Sequence, residues 1–210
     1  MGNPIELTAV LALSYLLGSV PFGLVITKLA GLGDIRAIGS GNIGATNVLR
    51  TGRKDLALIT LLLDAGKGAI AVLVTRYFVS PDLAALAGMA AFIGHCCPIY
   101  LKFKGGKGVA TFFGTIFAIS PLLGLAAGAT WLISAFLFRM SSFSGLLTAL
   151  LTPFYAYYLI GDQGWMPLAF MSLVIYIRHK DNIRRILKGE EPKIGAKKKA
   201  DAAAKAEKGE

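Results

Sequence analysis

The topology of this chain depends on residues 109–138, VATFFGTIFAISPLLGLAAGATWLISAFLF, which contain no charged side chain. A helix of about 20 mostly apolar residues crosses a bilayer, so these thirty residues are long for one crossing and short for two. Pro121 lacks an N–H and clashes with the preceding helical turn. We therefore expect the helix to kink or split there, and the outcome determines on which side of the membrane the rest of the chain lies.

Long apolar runs fill most of the chain on both sides of this stretch. Residues of the AVILMFWYC set make up 55% of the sequence and charged residues 16%, whereas soluble proteins have about 25% charged residues. The first run is too long for a signal peptide and lacks a basic patch before it. The pattern predicts an all-α, polytopic integral membrane protein with further spans at residues 5–30, 56–79, 83–101, 143–160 and 165–177.

The cationic side chains indicate how often the chain crosses the membrane. A split at Pro121 gives seven spans, several of them short or re-entrant. Of the 22 Lys and Arg residues, all except Lys67 and Arg76 then lie on or beside one face, which is cytoplasmic by the positive-inside rule. A single helix would move the eleven Lys and Arg of residues 178–210 to the opposite side. We therefore expect the split, with the N-terminus outside and the C-terminus in the cytoplasm.

One domain and a tail account for the sequence. Residues 1–195 are expected to form a single transmembrane domain. Residues 196–210 form a basic Ala/Lys/Glu tail that we expect to be disordered, with an expression-vector remnant as the alternative origin of part of it. The adjacent Cys96 and Cys97 are poorly placed for a disulfide, and no zinc-type spacing occurs in the sequence. We expect no metal, no cofactor and no nucleic-acid partner.

Three glycine-rich polar segments fall on the predicted cytoplasmic face. The first, residues 39–50 (GSGNIGATNVLR), combines glycines, amides and hydroxyls with an arginine. Glycine lets backbone N–H groups converge on an anion, and a helix beginning near Ala45 would direct its positive end there. A flexible turn is the plainer interpretation, but the density of polar side chains favours an anion site. Its candidate ligands are Ser40, Asn42, Asn47 and Arg50.

The second segment, residues 102–111 (KFKGGKGVAT), interleaves lysines and glycines. It is not a Walker A loop, because that motif follows a strand and has Ser or Thr after the lysine. An ordinary positive-inside loop needs the charge but not the glycines. The segment therefore predicts a phosphate cradle of backbone N–H groups and a lysine charge, with Lys104, Gly105, Gly106 and Lys107 as candidates.

The third segment, residues 178–182, directly follows the last span. His179 is a candidate general base or phosphate ligand, although a solvated histidine at the membrane interface is the plainer interpretation. Serines 141, 142 and 144 add hydroxyls on the same face.

Three polar residues lie inside the apolar spans. His95 is more typical of a structural histidine than of a catalyst. Asp64 and Lys67 are three residues apart and share a helix face. We expect them to form a structural ion pair that also borders the polar site.

The segments resemble the motifs of the bacterial acylphosphate:glycerol-3-phosphate acyltransferase family of the PlsY type. The similarity covers about residues 5–192 and rests on residues 39–50, KGGKGVAT at 104–111 and RHKDNI at 178–183, with LGSVPF at 17–22. The resemblance implies transfer of a fatty acyl group from acyl phosphate to the sn-1 hydroxyl of glycerol 3-phosphate, which gives lysophosphatidic acid and inorganic phosphate for phospholipid synthesis. It also implies a multi-pass protein of the bacterial inner membrane with a cytoplasmic active site.

The resemblance further implies roles for individual residues. The expected catalytic residues are His179, Lys107 and Arg50. The expected substrate contacts are Ser40, Asn42, Asn47, Arg50, Lys104, Gly105, Gly106, Lys107, Ser142, His179 and Asn182. Because acyl phosphate is a mixed anhydride with a good leaving group, positioning and oxyanion stabilisation carry most of the catalysis.

Several questions stay open at the level of sequence. Either His179 or a substrate phosphate takes the hydroxyl proton. A small transporter or channel for phosphate or an organic phosphate is the alternative function, and a membrane scaffold docked by its basic tail is a third. We favour a monomer, although the sequence does not fix the oligomeric state.

Overall fold

The computed structural model describes residues 3–195, except the side chains of residues 162 and 163, and all regular structure in them is helical. The all-α prediction is confirmed, while the predicted tail at 196–210 lies outside the described residues. Within residues 3–195 the α-helices are α1 (Pro4–Ser19), α2 (Phe22–Leu29), α3 (Ala45–Val48), α4 (Lys54–Phe78), α5 (Ala84–Cys96), α6 (Val109–Ile119), α7 (Pro121–Phe138), α8 (Ser141–Ile160), α9 (Asp162–Arg178) and α10 (Lys180–Leu187).

The outer surface of the helix bundle is apolar. Phe136 of α7 is 83% exposed and Tyr158 of α8 is 82% exposed, which is the arrangement expected of side chains that face lipid. α6, with 11 residues, and Gly164–Arg178 are apolar but shorter than a usual span. Within the described residues, five stretches are long and apolar enough to cross a membrane: Pro4–Leu29, Lys54–Phe78, Pro81–Leu101, Pro121–Phe138 and Ser141–Ile160.

The helix splits before Pro121, as predicted from the sequence. α6 ends at Ile119 and α7 begins at Pro121. With 11 residues, α6 is about 16 Å long, which is shorter than the hydrocarbon core of a bilayer. Arg76 of α4 donates to the carbonyls of Ala118 and Ile119, each at 2.9 Å. These bonds satisfy helix-end groups that lipid could not satisfy.

The first apolar run also breaks, where one continuous span was expected over residues 5–30. Val20 and Pro21 separate α1 from α2, because proline cannot donate a helical hydrogen bond. The Val20 carbonyl, outside the helix, accepts a hydrogen bond from Lys67 Nζ at 3.1 Å. The interruption therefore supplies a partner for a buried lysine.

Glycines allow close helix contacts in the centre of the bundle. A Cβ atom at Gly18 of α1 would overlap the Ala91 carbonyl of α5, and one at Gly114 of α6 would overlap the Ala65 carbonyl of α4. Such small residues are typical of membrane helix interfaces, where backbones must approach closely to gain packing energy. α5 packs against α1, α4, α6 and α9. The polar loops lie over its C-terminal end.

Candidate active site

A cavity of about 340 Å³ lies between the loops at this end of the bundle. All three polar segments identified in the sequence contribute to its walls, so they meet at one site. The lining residues are Ser40, Gly41, Asn42, Gly105, Lys107, Ile177, Arg178, Lys180 and Asp181.

Asn47 holds the first segment together from inside. Its Nδ2 donates to the carbonyls of Ile35 at 2.8 Å and Ile38 at 3.0 Å, and its Oδ1 accepts from the Ser40 N–H at 3.2 Å. The amide is buried and orders the loop instead of lining the cavity. The helix predicted near Ala45 is present as the single turn of α3, which is too short to contribute much dipole.

Three side chains of this segment, Ser40, Asn42 and Arg50, keep hydrogen-bonding capacity for a ligand; the Ser40 hydroxyl donates to Asn47 Oδ1 at 3.4 Å and can still accept. Arg50 packs on Gly39, where a φ of 59° and the lack of room for a Cβ both require glycine. Asn42 lines the cavity, and its buried Oδ1 has no hydrogen-bond partner among the described residues. A ligand hydroxyl would satisfy this oxygen.

The glycine loop, which we define as residues 104–108, lies on the C-terminal end of α5. The Gly106 N–H donates to the His95 carbonyl at 3.0 Å, and a Cβ at Gly105 or Gly106 would overlap His95. Arg178 holds the opposite side of the loop by donating to the carbonyls of Gly105 at 2.6 Å and Gly106 at 3.0 Å. The loop can approach His95 this closely only because it carries glycine at both positions.

Backbone donors remain available around this loop. The N–H groups of Gly105 and Lys107 have no acceptor among the described residues. α6 begins directly after the loop at Val109, and no side chain caps its N-terminus. Converging N–H groups at a helix N-terminus form an anion-binding nest.

Lys107 is a central cation of the site. Its Nζ donates to Asn182 Oδ1, which connects the glycine loop to α10. Burial lowers the pKa of Lys107 to about 8; the Glu191 carboxylate opposes this shift, and the charges of Arg185 and Arg50 add to it. The lysine is therefore mostly protonated at pH 7, and Arg50 lies close enough to influence it.

His179 is buried at the junction of α9 and α10. Burial, followed by the charge of Lys107, lowers the pKa of His179 to about 4, so its ring is neutral at pH 7. Nδ1 is 2.8 Å from the Ile175 carbonyl and carries the proton, because a carbonyl only accepts. Nε2 is left with a lone pair that can accept a proton.

Glu191 belongs to the same network although no sequence pattern marks it. Its carboxylate accepts hydrogen bonds from Ser142 Oγ at 2.6 Å, Asn182 Nδ2 at 2.6 Å and Arg185 Nε at 2.7 Å. Burial alone would raise the pKa of Glu191, but these three bonds outweigh it and lower the pKa. Glu191 thereby fixes the amide whose oxygen meets Lys107. The hint in the sequence is that Glu191 is an acidic residue close to the third segment, on a face that is otherwise cationic.

The other predicted residues differ in location. Lys104 is exposed and does not line the cavity. Ser142 bonds to Glu191, whereas the hydroxyl of Ser144 donates to the carbonyl of Met140, the residue before α8. Arg178 was not predicted, since a basic residue at the end of a span is common for reasons of orientation alone.

A buried cluster lies beneath the glycine loop. Lys67 Nζ is 2.9 Å from Asp64 Oδ1, so the predicted ion pair is confirmed, and it is 2.8 Å from His95 Nδ1. The side chains of all three residues are at most 4% exposed. Across residues 3–195, no group of three His, Cys, Asp or Glu side chains is arranged to hold a metal ion.

An apolar groove of about 720 Å³ runs between α8 and α9. Its walls include Phe154, Trp165 and Leu173. Tyr176 also lines this groove, and the next residue, Ile177, lines the polar cavity. One end of the apolar groove therefore reaches the residue next to a wall of the polar cavity.

Known proteins are similar to this chain in sequence and in fold. The model of the glycerol-3-phosphate acyltransferase family matches residues 8–189. Proteins of Dinoroseobacter shibae and Caulobacter vibrioides, both named glycerol-3-phosphate acyltransferase, are 60% identical to this chain over 187 and 192 residues. The alignments cover 89% and 90% of this chain and 92% and 88% of those proteins, respectively.

Two solved structures are also similar. Both are of PlsY (YgiH), described as an integral membrane glycerol 3-phosphate acyltransferase, and both are 33% identical to this chain. The glycerol 3-phosphate form has a TM-score of 0.85 and covers 91% of this chain and 97% of its own. The lysophosphatidic acid form has a TM-score of 0.80 and covers 89% and 94%. This chain therefore belongs to the glycerol-3-phosphate acyltransferase family.

Proposed function

We propose that this chain transfers a fatty acyl group from acyl phosphate to the sn-1 hydroxyl of glycerol 3-phosphate, giving lysophosphatidic acid and inorganic phosphate. The observation that carries the proposal is that Lys107 lines the cavity beside unpaired glycine-loop N–H groups. Arg50 and His179 do not line the cavity, but each lies close enough to Lys107 to interact with it electrostatically. Similarity to PlsY structures in glycerol 3-phosphate and lysophosphatidic acid forms supports the same acceptor and product. Two separate sets of phosphate-binding groups support acyl phosphate as the donor.

The first set of groups suits glycerol 3-phosphate. Arg50 and Lys107 are two cations near one cavity wall, and a phosphate dianion is matched by two such charges. Asn182 orients Lys107. The unsatisfied Oδ1 of Asn42 accepts a glycerol hydroxyl, and Ser40 supplies a further hydroxyl at the cavity wall.

The second set of groups suits the acyl phosphate. The Gly105 and Lys107 N–H groups and the N-terminus of α6 bind its phosphate and the oxyanion that forms at the acyl carbon. Arg178 keeps the carbonyls of Gly105 and Gly106 turned away from this anion. The acyl chain lies in the groove between α8 and α9, one end of which reaches the residue next to a cavity wall.

The reaction breaks one bond for each bond that it makes. The glycerol hydroxyl oxygen attacks the acyl carbon, and the bond between that carbon and the phosphate oxygen breaks, with its electron pair leaving on phosphate. The hydroxyl proton passes to Nε2 of His179 or to a phosphate oxygen. His179→Asn separates these routes because asparagine donates but does not accept a proton. Loss of turnover with unchanged substrate binding identifies the histidine as the base, and substantial residual turnover identifies the phosphate.

The membrane arrangement follows from charge. The chain crosses seven times, counting the short helices α6 and α9, with its N-terminus outside and its C-terminus in the cytoplasm. The 20 cationic residues that remain when Lys67 and Arg76 are subtracted from 22 support a cytoplasmic site. We propose that the chain acts as a monomer.

Phosphate release by the purified chain tests the function. An acyltransferase releases phosphate above uncatalysed hydrolysis only when acyl phosphate and glycerol 3-phosphate are both present, and forms one lysophosphatidic acid per phosphate. Transport of unmodified substrate into sealed vesicles, without this release, would instead identify a transporter.

A matched pair of arginine variants tests the site. We expect Arg50→Ala to lose about 10- to 100-fold in kcat/KM, since a hydrogen bond to a charged group contributes about 1.5–3 kcal/mol. Arg53→Ala is the control, because Arg53 is paired with Asp55 on the surface, whereas Arg50 lies close enough to Lys107 to lower its pKa. Near-normal turnover by Arg50→Ala would contradict the assignment.

A further inference from the structure

The buried cluster of Asp64, Lys67 and His95 takes no part in the chemistry described above, yet it lies directly under the glycine loop. Burying an ion pair is costly unless its geometry is good and its hydrogen bonds are satisfied. Lys67 Nζ meets the Val20 carbonyl at 3.1 Å and His95 Nδ1 at 2.8 Å in addition to Asp64. Neutralisation of Lys67 by Asp64 explains the pair but does not explain the contact with His95.

The contact with Lys67 fixes the state of the His95 ring. An ammonium group only donates, so Nδ1 is the acceptor and the ring proton lies on Nε2. Gly106 lies against Nε2 so closely that a Cβ would overlap it. The His95 carbonyl also accepts the Gly106 N–H. His95 thus touches the loop through both its ring and its backbone.

Arg178 holds the same loop from the opposite side, through the Gly105 and Gly106 carbonyls. Gly106 is held between Arg178 and His95. The N–H groups of the residues on either side, Gly105 and Lys107, bond to neither of these two residues. A displaced ring would remove one of these two supports and change the direction of the donors.

We propose that Asp64, Lys67 and His95 are positioning residues that hold the glycine loop in the geometry that binds acyl phosphate: Asp64 and Lys67 fix the His95 ring, and the ring supports Gly106. The inference rests on the proposed function, since it concerns the donor half of that site. Glycerol 3-phosphate is bound mainly by Arg50 and by Lys107 Nζ, which Asn182 of α10 holds from outside the loop, so the cluster affects the two substrates unequally.

Two variants test the proposal. Asp64→Asn combined with Lys67→Met removes both charges together, which leaves no unpaired buried ion and is often tolerated by a fold. His95→Asn keeps an acceptor near the position of Nδ1 but lacks the part of the ring that supports Gly106. Thr75→Val is the control, because Thr75 is a buried polar residue of the same helix, α4, about 12 Å from Lys67 along its axis.

The measurement is the KM of each substrate in the phosphate-release assay, together with the melting temperature. We expect the KM for acyl phosphate to rise about 10- to 100-fold in both variants, as for a catalytic group displaced by about 1 Å, with the KM for glycerol 3-phosphate within about twofold of wild type. A merely structural cluster would lower the melting temperature or the active fraction and leave both KM values unchanged. If His95→Asn leaves both KM values unchanged, the proposal is overturned, even if the double variant does not fold. Absence of two-substrate release by the wild type would instead refute the proposed function.

Discussion

Raising the pH above 8 should discharge Lys107 and weaken the binding of glycerol 3-phosphate. With a pKa of about 8, about 90% of Lys107 is protonated at pH 7 and about 10% at pH 9. Only the ammonium form carries the charge that pairs with phosphate. A tenfold difference in the competent form predicts that kcat/KM for glycerol 3-phosphate falls about tenfold from pH 7 to pH 9.

The two kinetic parameters should respond differently. kcat/KM reports the free enzyme and kcat reports the substrate complex. A phosphate dianion beside Nζ favours the ammonium form and raises the pKa of Lys107. The alkaline fall should therefore be clear in kcat/KM and displaced to higher pH in kcat.

The assay is phosphate release at saturating acyl phosphate across pH 6–9.5, with uncatalysed hydrolysis subtracted at each pH. Lys107→Arg is the matched variant, since a guanidinium stays charged throughout this range. Its absolute rate should be lower, because the bond to Asn182 is altered, but its profile should be level between pH 7 and pH 9. A level wild-type profile, or an unchanged alkaline fall in Lys107→Arg, would refute the assignment of this charge to the acceptor phosphate.

Three further substitutions test separate parts of the structure. Glu191→Gln keeps the shape of the side chain but turns a donor toward Arg185 or Asn182, so kcat/KM should fall about tenfold. This loss is near the low end for charged hydrogen bonds, because Arg185 is partly exposed. Unchanged kinetics would remove Glu191 from the site. Arg76→Met leaves the last carbonyls of α6 without their donor. The free energy of unfolding, followed by heating in detergent, should therefore fall by about 2–4 kcal/mol. An unaltered melting temperature would contradict this account. Gly106→Ala places a methyl group on the His95 ring, so activity should be lost at nearly normal expression; full activity would contradict the observed contact.

The sequence was sufficient to predict the break at Pro121, because proline disrupts a helix through two local effects: it lacks an N–H, and its ring clashes with the preceding turn. Proline removes a helical donor wherever it occurs, and the distribution of lysine and arginine favours the topology in which the helix splits. The break at Pro21 follows from the same local rule, yet it was missed because the run from 5 to 30 is of an acceptable length for one tilted span. Its role became visible only through Lys67, 47 residues further along the chain, which bonds to the exposed carbonyl.

The site was predicted where its function depends on local composition and missed where it depends on contacts distant in sequence. Residues 105–107 and 179 stand out as glycine, lysine and histidine next to a membrane span. Glu191 has no motif of its own and gains its role by reaching Ser142, 49 residues away. Asn47 shows the converse case: the sequence predicts it as a substrate contact, but its amide is bonded to the loop backbone, which the spacing of one segment cannot reveal.

The interruptions of the membrane helices explain how a small apolar bundle comes to contain an anion site. Each helix end in a membrane leaves backbone groups that lipid cannot satisfy, and each interruption here is matched by a charge. The carbonyl after α1 receives Lys67, and the C-terminal carbonyls of α6 receive Arg76, at the end where the helix dipole is negative. The N-terminus of α6 is positive, and no side chain among the described residues caps it. It directly follows the glycine loop, where an anion would complete its N–H groups, and a substrate phosphate is such an anion.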